Sequence, residues 1–539
     1  MKKLIFTALT SLLFLTLPGC TRNIKPKKDP ASIEYSNKIG KFVKKVDLNF
    51  DSNAFKKALN EALDKVYDAK SYDDAYEALN DIVYKVNELT KKYSVSEALV
   101  SYDLNNQEIV EKNKILRDAY LDYSTFYYKM IVELSKNDEY LQLFFDGYDQ
   151  EDIDFEVDMA RKKIDDKYVA LQKEIDDLSD EANRIGVDLY SNNDDELLDI
   201  LFEYINKNNE LAKLMGFSSY IEYADLEWKR SYLEEDVSDF IKYTKEYLVP
   251  LMNTDTTFID VDKSLYSLTI PQQNYYKEFS YTSVFDKDYS TINLLKDYSK
   301  KIGGSYFTTF AKYLDDGHYV FAGNESSFNG AFTYGYSTYF GPGYQDCTTV
   351  AHEFGHYYSK TNTFLNSKSL DLQEFYSQAN EFLFTSYLEQ NSKSNVTPVY
   401  NVRSDKLTDR AVYNIVVASA LREFEEAIYS KELTSKNEIK EIWDDINNSN
   451  YNGRLKKYWR IEVRYDLYYI SYATSVIGAI GLYNMSQESL NKAINAYVKA
   501  VNNQEIYDDI DRIFEKVGLY SPFSENAFKE IVKTLEEKR

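Results

Sequence analysis

The chain has 539 residues with only 18 Gly and 8 Pro, about 5% together where soluble proteins average roughly 12%. So few turn-forming residues exclude a β-sandwich, a Rossmann-type sheet and any Gly-rich low-complexity chain, and leave long helices as the expectation. With 44% hydrophobic and 16% aromatic residues the bulk is not disordered, its length favours two lobes over one core, and a formal charge of −24 disfavours nucleic acid as a partner.

At the N-terminus Lys2 and Lys3 precede an apolar run from Leu4 to Leu17 and small residues before Cys20. The run is too short to span a bilayer, so residues 1–19 read as a signal peptide. Leu17-Pro18-Gly19-Cys20 resembles a bacterial lipobox, which implies a lipid on Cys20 and a change in formal charge from −24 to −26 as Lys2 and Lys3 leave. Residues 20–37, with Pro26, Pro30 and a basic cluster at Arg22, Lys25, Lys27 and Lys28, read as an extended tether. The expected location is the bacterial cell envelope outside the cytoplasm, with the membrane touched only through that lipid. Cys347 then has no intrachain partner, so no disulfide is expected.

Residues 38–250 contain no Pro between Ala31 and Val249 and show helical periodicity over 55–67, 76–89, 109–134 and 155–185. Breaks at 73–74, 137–138 and 192–193 give antiparallel-length helices, hence an N-terminal helical lobe. From 251 to 539 the character changes. Nine of the 18 glycines fall between Gly303 and Gly355, and the aromatic, Gly-bounded runs 319–323 and 330–336 predict a small sheet over 319–340.

Two of the three histidines lie in Thr349-Val350-Ala351-His352-Glu353-Phe354-Gly355-His356. On a helix starting at Asp346, positions i and i+4 share a face, so His352 and His356 can ligate one zinc ion while Glu353 faces the water position. A catalytic zinc usually takes three protein ligands and keeps a place for water. His318 lies upstream in a turn and no histidine follows His356, so the third ligand must be a carboxylate. Residues 369–381 predict a second helix on which Asp371, Glu374, Gln378 and Glu381 form one polar stripe, costly to bury unless satisfied. Spacing does not choose among Asp371, Glu374 and Glu381.

This segment resembles the thimet oligopeptidase and oligoendopeptidase F family of zinc metallopeptidases, in which a Glu-x-x-Ser-Gln helix follows the HEFGH helix. Glu374-Phe375-Tyr376-Ser377-Gln378 matches it, which implies Glu374 as the third ligand and Asp371 as a group orienting a ligand histidine. Gly330-Ala331-Phe332 stands where the family has an edge strand, implying substrate contact at Gly330 and Ala331. Residues 465–472 resemble its late tyrosine element, implying that Tyr465 contacts substrate and that Tyr469 or Tyr472 donates to the reacting carbonyl.

The expected fold is mainly α: two helical lobes around a deep channel, with a small β-sheet beside the zinc-binding helix. The expected reaction is zinc-dependent hydrolysis of internal bonds in short peptides by a monomer, with Glu353 as general base. The competing expectation is a non-catalytic peptide-binding lipoprotein, an inactive member of that family, since Arg460 stands about where the family carries a histidine.

Overall fold

A computed structural model describes residues 38–539 apart from 188, 285–290, 323–325, 363–368, 504 and 506–507. The expected signal peptide, Cys20 and the tether therefore lie outside the described residues, as does Gly323. No described helix is long and apolar enough to cross a membrane.

Helix boundaries follow local hydrogen-bond chemistry. Helices α1 (Ser52–Tyr67), α2 (Tyr72–Tyr102) and α3 (Gln107–Leu134) each start after a polar residue, Asp51, Ser71 and Asn106, whose side chain accepts from a backbone N–H three residues on. Asp73 and Asp74 do not form the expected break; they lie in the first turn of α2, where carboxylates complement the helix dipole. The expected segment 155–185 is two helices, α4 (Gln150–Lys163) and α5 (Asp166–Ile185), because the Asp165 side chain accepts from Lys167 N–H and restarts the helix.

Phe55, Leu59, Leu63 and Val66 line one face of α1 and pack with Leu79, Ile82 and Val86 of α2 and Leu116, Tyr120 and Tyr123 of α3. This core ends at Ala160 along the helices, and a larger one runs from Met159 to Leu535. Packing thus changes near residue 160, whereas composition changes near Pro250. Residues 166–251 share the larger core with the later chain.

The sheet joins the two cores. Strands β1 (Tyr319–Phe321), β2 (Ala331–Tyr334) and β3 (Ser337–Phe340) lie in the order β1-β3-β2, β1 parallel and β2 antiparallel to β3. Alternation sends Val320, Tyr334 and Tyr339 into the smaller core and Phe321 and Phe340 into the larger. Residues 38–40 cover the β1 edge: Gly40 N–H donates to Tyr319 O at 2.8 Å and Phe321 N–H to Lys38 O at 2.9 Å. Helix α2 fixes the sheet through Ser337 Oγ, which donates to Ser94 O at 2.7 Å. The strand left at the other edge is β2.

Four later helices build the centre: α6 (Cys347–Asn362), α7 (Leu370–Asn391), α8 (Thr397–Tyr429) and α9 (Tyr468–Glu488). Helix α7 is buried around nearly its whole circumference, yet it carries Asp371, Glu374, Gln378, Asn380 and Glu381. Five polar side chains in a central helix require partners.

Candidate active site

Helix α6 begins where the sequence predicts. The Asp346 carboxylate accepts from Thr348 N–H at 3.0 Å and Thr349 N–H at 3.3 Å, and Arg403 Nη2 holds it at 3.2 Å. The helix can then lie directly on α7 because residue 355 is glycine: a Cβ there would stand 2.6 Å from both Ser377 Cα and Tyr376 O. Asn380 ties the pair together, donating to Ala351 O at 2.6 Å and accepting from the Tyr298 and Tyr306 hydroxyls.

At this crossing His352, His356 and Glu374 converge, one ligand atom from each lying within 4.8 Å of the others. Glu374 Oε2 is 3.9 Å from His352 Nε2 and 3.8 Å from His356 Nε2. Those separations are too long for hydrogen bonds but suit a group that a small cation with ligand bonds of about 2 Å would draw together. Two imidazoles and a carboxylate are also a zinc-type donor set. Burial holds His356 well below the usual histidine range and therefore neutral, with a lone pair available. Of the three carboxylates left open by spacing, the one facing both histidines is Glu374.

The expected role of Asp371 requires correction. Asp371 Oδ2 accepts from Tyr232 O–H at 2.6 Å and Oδ1 lies 3.8 Å from Arg230 Nε, so its partners belong to the packing behind α7. The carboxylate on a ligand histidine is Glu381: its Oε2 is 3.4 Å from His352 Nδ1, which leaves Nε2 turned to the ligand cluster, and its Oε1 is 3.1 Å from Arg410 Nη2. Burial alone would lower His352, but the bond to Glu381 and the surrounding carboxylates raise it. Burial would raise Glu381, but Arg410 and His352 bring it down to about 2. The difference is geometric. Asp371 stands one turn before Glu374, and Glu381 two turns after it on the same stripe.

Glu353 is buried and bonded to the sheet. Thr333 Oγ1 donates to Glu353 Oε2 at 2.8 Å and also lies 2.9 Å from Glu353 O. Burial pushes the Glu353 carboxyl up to about 7, against the lowering effects of His352 and Thr333. Gly341 N–H donates to Gly330 O at 2.7 Å, so the Gly330 carbonyl is spent within the sheet. By antiparallel alternation the backbone polar groups of Ala331 and Thr333 point to the open edge. There Lys360 Nζ donates to Thr333 O at 2.9 Å.

The tyrosine element is brought in by a strained turn. Leu467, buried, adopts φ +54° immediately before α9. Its N–H donates to Glu425 Oε1 at 2.9 Å and its carbonyl accepts from Arg230 Nη2, while Arg230 Nε donates to Ser471 Oγ at 3.0 Å. So positioned, Tyr468 O–H donates to Glu374 Oε1 at 2.5 Å. Tyr472 lies in the field of Glu374, Arg410, Glu381 and Glu353, and its backbone carbonyl accepts from Gln378 Nε2 at 3.2 Å. Tyr469 packs instead against Tyr458, Tyr465 and Tyr468, and Tyr465 against Arg464, Tyr468 and Tyr469. Arg460 is fully buried on Asp194 and Asn193. His318 stacks on Phe42 with ring centroids 4.1 Å apart and binds Tyr336 O through Nδ1 at 2.9 Å.

Sequence reasoning passed over Thr333, Tyr468, Arg410 and the role of Glu381. Period-2 alternation from Gly330 would have turned Thr333 and Ala331 to one side, and Glu381 already stood on the polar stripe. Nothing in the sequence singles out Arg410 or selects Tyr468 from four nearby tyrosines.

No protein-family model and no curated protein matches the sequence. Solved structures do match. Pz peptidase A with an inhibitor superposes with a TM-score of 0.70 at 13% identity, covering 92% of this chain and 98% of that one. A Bacillus anthracis str. Ames chain described as an oligoendopeptidase F gives 0.68 at 17% identity, over 92% and 97%. Oligoendopeptidase F from Enterococcus faecium gives 0.54 at 14% identity, over 91% and 98%. Over nearly its whole described length, the chain is built on the helical fold of oligoendopeptidase F and Pz peptidase A.

Proposed function

We propose that this chain is a zinc-dependent metalloendopeptidase of the oligoendopeptidase F type that hydrolyses internal bonds of short peptides. It would act outside the cytoplasm, anchored by a lipid on Cys20. The observation that carries the reading is the convergence of His352, His356 and Glu374, with Glu353 on the same helix as the histidines, in a fold shared with solved peptidases.

Zinc held by His352, His356 and Glu374 would supply Lewis acidity, polarising the scissile carbonyl and acidifying a water. The chain's own groups do the rest. Glu353, steadied by Thr333 at Oε2, has Oε1 to take the proton of the attacking water and return it to the leaving amine. The open edge of β2 at Ala331 binds the substrate backbone by strand addition. Tyr472 donates its phenol to the developing oxyanion. Tyr468, committed to Glu374, fixes that carboxylate's orientation.

The test is cleavage of a fluorogenic decapeptide by the purified full chain, with and without a chelator, beside an intact folded protein. Decapeptide cleavage that stops with the chelator and returns with zinc is expected, with the folded protein left whole. Absence of peptide cleavage by the zinc-loaded chain would leave the non-catalytic peptide-binding reading. Equal cleavage of both substrates would contradict restriction to short peptides.

A further inference from the structure

A chain with a formal charge of −24 presents an open cation beside its candidate metal ligands. Arg410, on α8, has a side chain 56% exposed although its partner Glu381 is 6% exposed. Its one ion pair among the described residues is Nη2 to Glu381 Oε1 at 3.1 Å. Arg230 and Arg422 are by contrast buried against their acids. Arg230 binds Asp225, Ser471 and Leu467 O, and Arg422 binds Asp225 and Glu426; their side chains are 0% and 4% exposed. A guanidinium has five N–H donors in a planar fork that matches a carboxylate, and most of Arg410's have no protein acceptor among the described residues.

Its position gives this openness a use. The contacts from Arg410 through Glu381 to the His352 ring place the guanidinium within about 11 Å of His352 Nε2, a span of about three extended residues. Glu381 is itself held at its other oxygen, Oε2 lying 3.4 Å from His352 Nδ1. The fork is thereby anchored at one corner and open elsewhere, which lowers the entropy lost on capture. Tyr472 lies in the same field. The other nearby carboxylate, Asp346, is taken by Arg403 at 3.2 Å.

We propose that Arg410 forms a carboxylate-binding subsite. It takes a carboxylate of the bound peptide, either the C-terminal α-carboxylate or an acidic side chain, two to three residues from the bond to be cleaved. The proposal rests on the peptidase reading for that bond, but binding of the carboxylate does not require turnover.

The test is fluorescence anisotropy with an N-terminally labelled hexapeptide as free acid and as amide, and with amides carrying a single Glu or Gln. Full-length Glu353→Gln protein, alone and combined with Arg410→Gln or Arg410→Lys, serves as receptor. The expected result is tighter binding of the carboxylate-bearing member of a pair by about tenfold or more, falling within twofold in Arg410→Gln and partly restored in Arg410→Lys. An acid-over-amide preference assigns the terminus, and a Glu-over-Gln preference assigns a side chain. Because Arg410 touches Glu381, zinc content is measured in parallel, and the ratio within each protein cancels any general loss of binding. No binding, no preference, or a preference that survives Arg410→Gln would overturn the proposal. Preferential binding without hydrolysis by the unsubstituted chain would leave the subsite standing and remove the peptidase reading.

Discussion

Gly355→Ala is a one-carbon change whose consequences can be worked from the crossing of α6 and α7. The added methyl would meet Ser377 Cα and Tyr376 O at 2.6 Å, both backbone atoms of α7 that no rotamer change can move. Carbon contacts settle at about 3.5–4.0 Å, so the two helices must part by about 1 Å. His352 and His356 ride on one helix and Glu374 on the other, already 3.8–3.9 Å apart at their facing atoms. Metal bonds of about 2 Å tolerate little further widening. Overpacking of this kind costs about 1–3 kcal/mol, and if most of it falls on the zinc-bound state, affinity drops by roughly 10- to 100-fold. Competition with a chromogenic chelator measures the affinity, and circular dichroism measures the accompanying fall in Tm. Wild-type zinc affinity in a folded Gly355→Ala protein would show that the ligands do not depend on close approach of these helices.

Glu381→Gln should weaken zinc binding about 10- to 100-fold by removing the carboxylate on His352, whereas Asp371→Asn should leave zinc affinity unchanged; the same competition titration reads both. Tyr472→Phe should lower kcat/KM by about 100-fold or more, while Tyr469→Phe stays within about twofold, because Tyr469 turns to other aromatics; steady-state kinetics on one peptide decides. Stability should also fall as pH rises from the ordinary carboxylate range toward about 8. Burial raises both Glu425 and Glu462, and both Glu462 oxygens are buried without a hydrogen-bond partner. Groups raised in the folded state contribute stability below their unfolded pKa that is lost as pH climbs through the folded value. Glu462→Gln should therefore lessen the fall of Tm between pH 5 and pH 9, and an unchanged slope would contradict it.

Much of the candidate site is legible in the sequence because its pattern is local. The i, i+4 spacing of His352 and His356, the Asp346 cap and the polar stripe on 369–381 are short-range patterns that helical periodicity converts into shared faces. The scarcity of Gly and Pro indicated the helical body, and the glycine-rich window correctly located the sheet. Gly355 has a reason invisible to sequence, the closeness of a second helix. What escaped depends on long-range placement. Asp371 and Glu381 are both carboxylates on the right stripe, and only the position of Arg230 and Tyr232 on one side and His352 on the other separates them. Tyr468 and Tyr469 are adjacent, and the left-handed Leu467, held by Glu425 and Arg230 from distant segments, decides which one reaches Glu374. The break at residues 164–165 was missed because it rests on one aspartate cap inside an otherwise continuous apolar pattern.

The proposed site holds one zinc at His352, His356 and Glu374 and puts it to hydrolytic use through Glu353. Elemental analysis and peptide turnover of Glu353→Gln beside the unsubstituted chain test it together. The expected result is one zinc per chain in both proteins and a loss of turnover in the variant of about 100-fold or more. A variant with undiminished turnover, or an unsubstituted chain that retains no zinc after equilibration with the metal, would contradict it.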